Sequence, residues 1–287
     1  MVVAMRWKAH RVSRSVGGNI ALFIFLGLLS AFMVMPLIFV VVNAFKPLNE
    51  LFVFPPKFYV VNPTLNNFRQ LFQIMNGAWM PFSRYLFNTV AITLTGTVGH
   101  ILLASLCAYS LSKIPFPGAG AVFQAIVLSL MFSPVVTTVP TYIIMSKAGL
   151  VDTLWAVILP ALQSSLGLYL IKQFLDTLPD SLLEAARIDG AGEMKLFLRI
   201  VMPNLKPAWL TLGILSIQSL WNIVSPYTYS EELKTLPQAL SQIVSAGISR
   251  SGVGSAVALL MIVVPIFCFV IAQGNIIQTM STSGMKD

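Results

Sequence analysis

The sequence predicts an all-α, polytopic membrane protein with six transmembrane helices and a helical cytoplasmic loop. Three observations carry this. Only 10% of the 287 residues are charged, against about 25% in a soluble domain. The apolar fraction is 56% and the mean hydropathy is +0.82, too apolar for a chain that must cover its surface with polar groups. The few charges leave six long gaps free of Lys, Arg, Asp and Glu, at 15–45, 85–112, 114–146, 153–171, 207–230 and 251–285. A bilayer core of about 30 Å takes roughly 20 helical residues to cross, and helices are required because each backbone amide must be paired within its own segment. Disorder is excluded, since it needs low hydrophobicity and many charges.

The spans fall at 20–42, 86–111, 119–145, 153–171, 208–226 and 256–277. They define a tail at 1–19, a six-span domain at 20–277 and a second tail at 278–287. The first span follows a basic leader (Arg6, Lys8, Arg11, Arg14), but its apolar part is too long for a signal peptide. Met35-Pro36 is also no small-residue cleavage site, so the span is read as retained. With the N-terminus inside, the inner segments 1–19, 112–118, 172–207 and 278–287 hold 11 of the 18 Lys and Arg residues. The positive-inside rule then places both termini in the cytoplasm. The outer segment 43–84, rich in Pro and aromatics, reads as an ordered loop with one short helix near 65–75. The net charge of +8 suits anionic lipid and needs no nucleic acid.

Several chemistries lack their residues. There is no G-x-x-x-x-G-K-[ST] phosphate loop, no H-E-x-x-H and no G-x-S-x-G. Two cysteines, Cys107 and Cys268, make neither a disulfide framework nor a zinc pattern. His100 is the one ionisable side chain, thiols apart, deep within a span. Its ordinary use is as a neutral hydrogen-bonding partner to a neighbouring helix, and a secondary transporter would be expected to place charged groups at mid-membrane.

The inner loop 172–207 holds five of the ten acids: Asp176, Asp180, Glu184, Asp189 and Glu193. Pro179-Asp180-Ser181 reads as a helix start, with Ser181 and Glu184 spaced as a capping box. Ala185 and Ala186 are small enough to admit a close surface. Gly190 suits a left-handed helix stop. A second amphipathic helix at about 193–201 is expected to end at Pro203. In the fifth span Gln218, Asn222 and Ser225 recur at i, i+4 and i+7, flanked by Trp221. A 1.5 Å rise per residue puts Asn222 about 21 Å above Ala208, and Gln163 of the fourth span could face the same space. Amides and an indole suit sugar hydroxyls and rings, but they serve helix packing equally well.

Glu184-Ala185-Ala186, Gly190, Ile200 and Pro203 stand at the spacing E-A-A-x3-G-x9-I-x-L-P, with Met202 in place of Leu. This loop resembles the EAA loop of ABC importer permeases. Further segments are similar to the carbohydrate-uptake branch, of which the second permease subunit of the maltose importer is one member. They include Phe45-Lys46-Pro47, Tyr85-Leu86-Phe87-Asn88-Thr89, Ala108 to Lys113, Gly149 to Thr153, Trp221-Asn222 with Leu236-Pro237, and Ser283 to Lys286. The resemblance implies half of a transmembrane pathway for an oligosaccharide, in a bacterial inner membrane. It implies a second permease subunit, two cytoplasmic ATPase subunits that dock the loop, and an extracytoplasmic substrate-binding protein. It implies that this chain is no enzyme and holds no cofactor, ATP and Mg being bound by the partner ATPase. It assigns ATPase coupling to Glu184, Ala185, Ala186, Gly190, Ile200 and Pro203. The polar stripe of Gln163, Gln218, Trp221 and Asn222 is the candidate sugar path. An importer of a non-sugar solute is the alternative, with a secondary transporter behind it.

Overall fold

The computed structural model describes residues 16–77, 80–245 and 247–283, and every regular element among them is helical. The helices run in order: α1 Val16–Ala44, α2 Leu48–Leu51, α3 Asn66–Asn76, α4 Phe82–Lys113, α5 Ala119–Ser129, α6 Pro134–Lys147, α7 Trp155–Leu162 and α8 Ser165–Asp176. They continue with α9 Asp180–Ile188, α10 Glu193–Leu196, a π turn Phe197–Val201, α11 Met202–Asn204, α12 Lys206–Trp221, α13 Leu236–Val244 and α14 Ser251–Ser283. The basic leader from Arg6 to Arg14, and Gly284, Met285 and Lys286, lie outside the described residues.

α4 is the axis of the molecule, packed against α7, α8 and α12. Its inward face is built of small and polar residues, among them Asn88, Thr89, Thr93, Gly96, Thr97 and Ser105. Glycines set the close approaches. A Cβ at Gly96 would stand 2.7 Å from Leu220 Cδ1, and one at Gly99 would stand 2.6 Å from Leu162 Cδ2. A Cβ at Gly167 would collide with the His100 imidazole. Lipid gives helices no hydrophobic reason to associate, so contacts of this kind, through small residues, hold a membrane bundle together. α1 and α14 flank this centre and lean on each other. The apolar run of α1 is unburied within the chain.

Residues 45–77 are ordered by side chain to backbone bonds, and α3 stands where the short helix is expected. Asn67 Nδ2 donates to the carbonyls of Ala44 (2.9 Å) and Lys46 (2.8 Å). The Glu50 carboxylate accepts from the backbone N–H groups of Val61 (3.1 Å) and Asn62 (2.9 Å). Leu71 and Met75 of α3 are buried with Val253 and Ala256 of α14.

Among the described residues, four helical stretches are long and apolar enough to cross a membrane: Val16–Ala44, Phe82–Lys113, Trp155–Asp176 and Ser251–Ile271. The remaining two expected spans differ from the sequence reading. The expected helix at 119–145 is interrupted between α5 and α6, where Ser133 is extended ahead of Pro134. A residue before proline is pushed out of the helical region, and the 11 residues of α5 are too few to cross alone. The fifth span, expected at 208–226, ends at Trp221, and α12 meets the helical stretch Glu193–Asn204 at 75°. The fourth is one candidate crossing with a break at Gln163 and Ser164, between α7 and α8.

Candidate functional site

α9 has a proline-initiated start. Pro179 at its N-cap is extended (φ −61°, ψ 132°) and Asp180 is already the first helical residue. Ser181 is therefore the second helical residue, past the cap, and the expected capping box does not form. Leu183, 2% exposed, anchors the helix in a core with Tyr109, Leu175, Leu196, Phe197 and Leu205. Ala186 is half-buried and packs on this same core. Its small side chain makes a contact within the chain and keeps part of its surface exposed. Ala185 and Glu184 are exposed. Leu182 is 42% exposed, Ile188 86%, and Met194 beyond the bend 64%. A helix that buries one apolar residue inward thus presents a second apolar face outward.

The helix ends as expected on Gly190, at φ +78°. The Ala191 N–H donates to the Ala186 carbonyl (3.0 Å) and the Gly190 N–H to that of Arg187 (3.0 Å), a Schellman closure. The second helix does not stop at Pro203. α10, the π turn and α11 are continuous to Asn204, one residue beyond Pro203. Ile200 is half-buried against the core under the loop.

The C-terminal end of α4 holds this loop. Tyr109 donates its hydroxyl to Glu193, and Arg187 Nε bonds the same carboxylate at 2.9 Å across the Gly190 bend. Ser112 Oγ donates to Asp176 Oδ1 (2.6 Å), and Lys113 Nζ donates to the Leu178 carbonyl (2.7 Å) and Asp180 Oδ1 (2.7 Å). The Lys113 side chain is 5% exposed, so its charge is committed to these partners. Tyr109, Ser112, Lys113, Arg187 and Glu193 were missed as functional positions. The available signal was a lone lysine closing a charge-free span, opposite a loop with half the chain's acids.

Arg187, then Tyr109, hold the Glu193 carboxyl below its ordinary value of 4.5. A depressed carboxylate stabilises the folded state above its unfolded pKa, and that contribution is lost as pH falls through the folded value. Glu193→Gln is accordingly expected to lower thermal stability at pH 7 by about 0.2–1 kcal/mol, the range for exposed ion pairs. The difference between variant and wild type should vanish at pH values well below 4.5. Paired melting curves from pH 7 to pH 3 check it, and a difference that persists unchanged at the acid end would refute the assignment.

The membrane stripe is only partly assembled. Gln218 and Asn222 are exposed, and Asn222 Nδ2 caps α12 by donating to the Gln218 carbonyl (3.0 Å). Trp221 is 5% exposed and its Nε1 donates to the Met261 carbonyl of α14 (3.1 Å). Its ring is enclosed between helices and offers no free face for stacking on a sugar. Ser225, beyond the end of α12, is 4% exposed and accepts from the Tyr227 N–H, so it is not on the expected helix face. Gln163, exposed at the α7–α8 break, lines a recess with Leu103, Cys107 and Ile126 that Gln218 does not reach. His100 Nδ1 is 2.8 Å from Ser216 Oγ of α12, the interhelical bond expected of it. Among the described residues, no group of three or more His, Cys, Asp or Glu is placed to hold a metal.

Asp152 locks two loops together. It takes φ +60° and accepts from the backbone N–H groups of Tyr229 (3.0 Å) and Ser230 (2.9 Å). Partial burial opposes its ionisation, but the bonds from Ser230 and Tyr229 outweigh it and hold the carboxyl below its ordinary range.

Residues 18–282 match the family model described as the binding-protein-dependent transport system inner membrane component. The chain is 31% identical to Protein LplC of Bacillus subtilis, over 69% of this chain and 65% of LplC, just under two thirds of that relative's length. It is 28% identical to the arabinooligosaccharides transport system permease protein AraQ of the same organism, over 93% of this chain and 96% of AraQ. A solved bacterial ABC transporter involved in import of the acidic polysaccharide alginate contains a chain of similar fold. The TM-score is 0.76 at 20% identity, over 89% of this chain and 95% of that one.

Proposed function

The chain belongs to the family of binding-protein-dependent transport system inner membrane components and is a transport permease rather than an enzyme, and from that premise we propose that it forms half of the pathway of an ABC importer for an oligosaccharide. The observation that carries this is the family match across 18–282, with AraQ similar over nearly its whole length. A second permease subunit completes the pathway, and an extracytoplasmic binding protein delivers the sugar. Two cytoplasmic ATPase subunits, which bind ATP and Mg, receive the loop 172–207. This chain supplies no energy source of its own. Its exposed apolar face at Leu182, Ala185 and Ile188 is the surface the ATPase covers, with Glu184 at its edge. Nucleotide-driven closure of the ATPases moves α9, and the contacts of Glu193, Asp176 and Asp180 with the end of α4 carry the motion into the spans.

The domain 20–277 crosses six times in this reading, the third crossing being the broken pair α5–α6 and the fifth being α12 with its bent approach. Both termini are then cytoplasmic. Cysteines at the exposed positions Asn49 and Glu232 should react with an impermeant thiol reagent outside sealed cells, and those at Asp189 and Ser283 should not, with Cys107 and Cys268 first replaced by Ala. Labelling at Asp189 would overturn the orientation.

The substrate class is tested by affinity purification of the chain from its native membrane, followed by ligand screening of the co-purifying binding protein. An oligosaccharide ligand supports the reading. A binding protein selective for a non-carbohydrate solute would replace it.

A further inference from the structure

The segment from Leu51 to Val61 joins the end of α2 to the approach of α3. Ten of its eleven residues are aliphatic, aromatic or proline, and Lys57 is its one charge. A run of this length is too short to cross a bilayer and belongs in a core or at an interface. It is not in a core. Phe54 is 91% exposed, and Phe52, Val53, Phe58, Tyr59 and Val61 are exposed with it. A contiguous apolar patch of this kind marks a surface that another body covers.

The patch is fixed to the end of a membrane helix. α1 has 29 residues. At a 1.5 Å rise per residue it is ~43 Å long, against a hydrocarbon core of about 30 Å. Its last turns therefore stand in the headgroup layer. The Phe58 ring packs on that of Phe39 in α1, with centroids 5.5 Å apart. Lys46, just beyond α1, donates its ammonium to the Lys57 carbonyl and to Asn43 Oδ1 (3.2 Å), and it stands over the Phe39 ring. The Thr64 N–H donates to the Phe45 carbonyl (2.9 Å). Glu50, the acid that borders the segment, spends its carboxylate on Val61 and Asn62. The segment is thus folded back beside the end of α1 and ordered before anything covers it.

We propose that residues 51–61 are an interfacial anchor, lying in the headgroup layer of the membrane with their aromatic side chains among the upper acyl chains and Lys57 at the lipid phosphates. Continuity with α1, whose apolar run is unburied within the chain, points to lipid as the occupant. The irregular backbone cannot itself enter hydrocarbon, and Pro55 and Pro56 carry no N–H to satisfy. The side chains alone reach down, to roughly 5–10 Å, as in other interfacial segments. Aromatic rings and a basic residue are the composition of that layer. The Lys57 ammonium, over the Tyr59 ring at 5.6 Å, suits anionic headgroups. Anchored in this way, the segment sets the height of α3, because Asn67 of α3 is bonded to the carbonyls of Ala44 and Lys46. The inference is independent of which solute is carried.

The test uses the complete importer in vesicles of phosphatidylethanolamine and phosphatidylglycerol. Cys107 and Cys268 are replaced by Ala, and the partner chains are freed of cysteine. Phe52→Cys, Phe54→Cys and, as the aqueous reference, Asn49→Cys each carry an environment-sensitive fluorophore. The labels at 52 and 54 should emit to the blue of the label at 49. They should be quenched more by lipids with a nitroxide at the top of the acyl chain than by lipids with one at its end. Both effects should persist when saturating binding protein is added. Water-like emission without lipid quenching would overturn the inference. Blue emission that lipid does not quench would also overturn it and assign the patch to the second permease subunit. A blue shift that appears only with binding protein would overturn it in favour of that protein.

Discussion

Ile188→Glu is expected to abolish ATP-driven uptake while leaving the chain folded and inserted. Ile188 is 86% exposed at the end of α9, so its replacement costs this chain's own fold no more than about 0.5 kcal/mol, the ordinary range for surface changes. Against a docked partner the same change buries an unpaired carboxylate. A central apolar contact in an interface is worth about 2 kcal/mol or more, which is about a 30-fold loss of docking. A new negative charge also sits poorly at a helix C-terminus. Ile188→Lys suits that terminus and removes the same contact, so both variants should lose uptake and substrate-stimulated ATP hydrolysis. Their levels in the membrane should match wild type. Normal uptake in both would remove α9 from the docking surface.

Gly190→Val is expected to reach a similar loss by a different route. Nothing lies within 4 Å of a Cβ built at Gly190, so crowding by neighbours is not the cause. The cause is the backbone, since φ +78° is left-handed and costs a β-branched residue about 1–3 kcal/mol. Relief of that strain opens the Schellman closure and separates Arg187 from Glu193, so α9 no longer moves with α10 and α4. Gly190→Asn, which tolerates the left-handed region, should retain most of the uptake. Stimulated ATP hydrolysis and uptake measured together check the pair. Equal activity of the Val and Asn variants would show that the bend is not required.

Legibility in the sequence followed the physics of each feature. The crossings α1, α4 and the first part of α14 are long runs without charge, and hydropathy reads them directly. Gly190 was legible because a glycine four residues after a small helical pair suits a left-handed helix stop. The breaks at 130–133 and 163–164 were not legible, since hydropathy does not sense a backbone kink and prolines also occur inside α1 and α14. The burial of Trp221 depends on Met261, forty residues on, and an i, i+4, i+7 pattern assumes a helix that here ends at Trp221 itself. Ala185 and Ala186 look alike in sequence, and only the position of Leu183 decides which of them faces inward. The brace from Tyr109, Ser112 and Lys113 joins residues 64 to 84 positions apart, a pairing no local pattern encodes.

Transport by the reconstituted importer is the most direct test of the central claim, that this chain is a pathway component powered by another subunit. Liposomes holding this chain, its permease partner and the ATPases, supplied with binding protein and internal ATP and Mg, should accumulate oligosaccharide. Liposomes holding this chain alone should neither hydrolyse ATP nor concentrate sugar under an imposed proton gradient. Accumulation by the chain alone, driven by that gradient, would contradict the account.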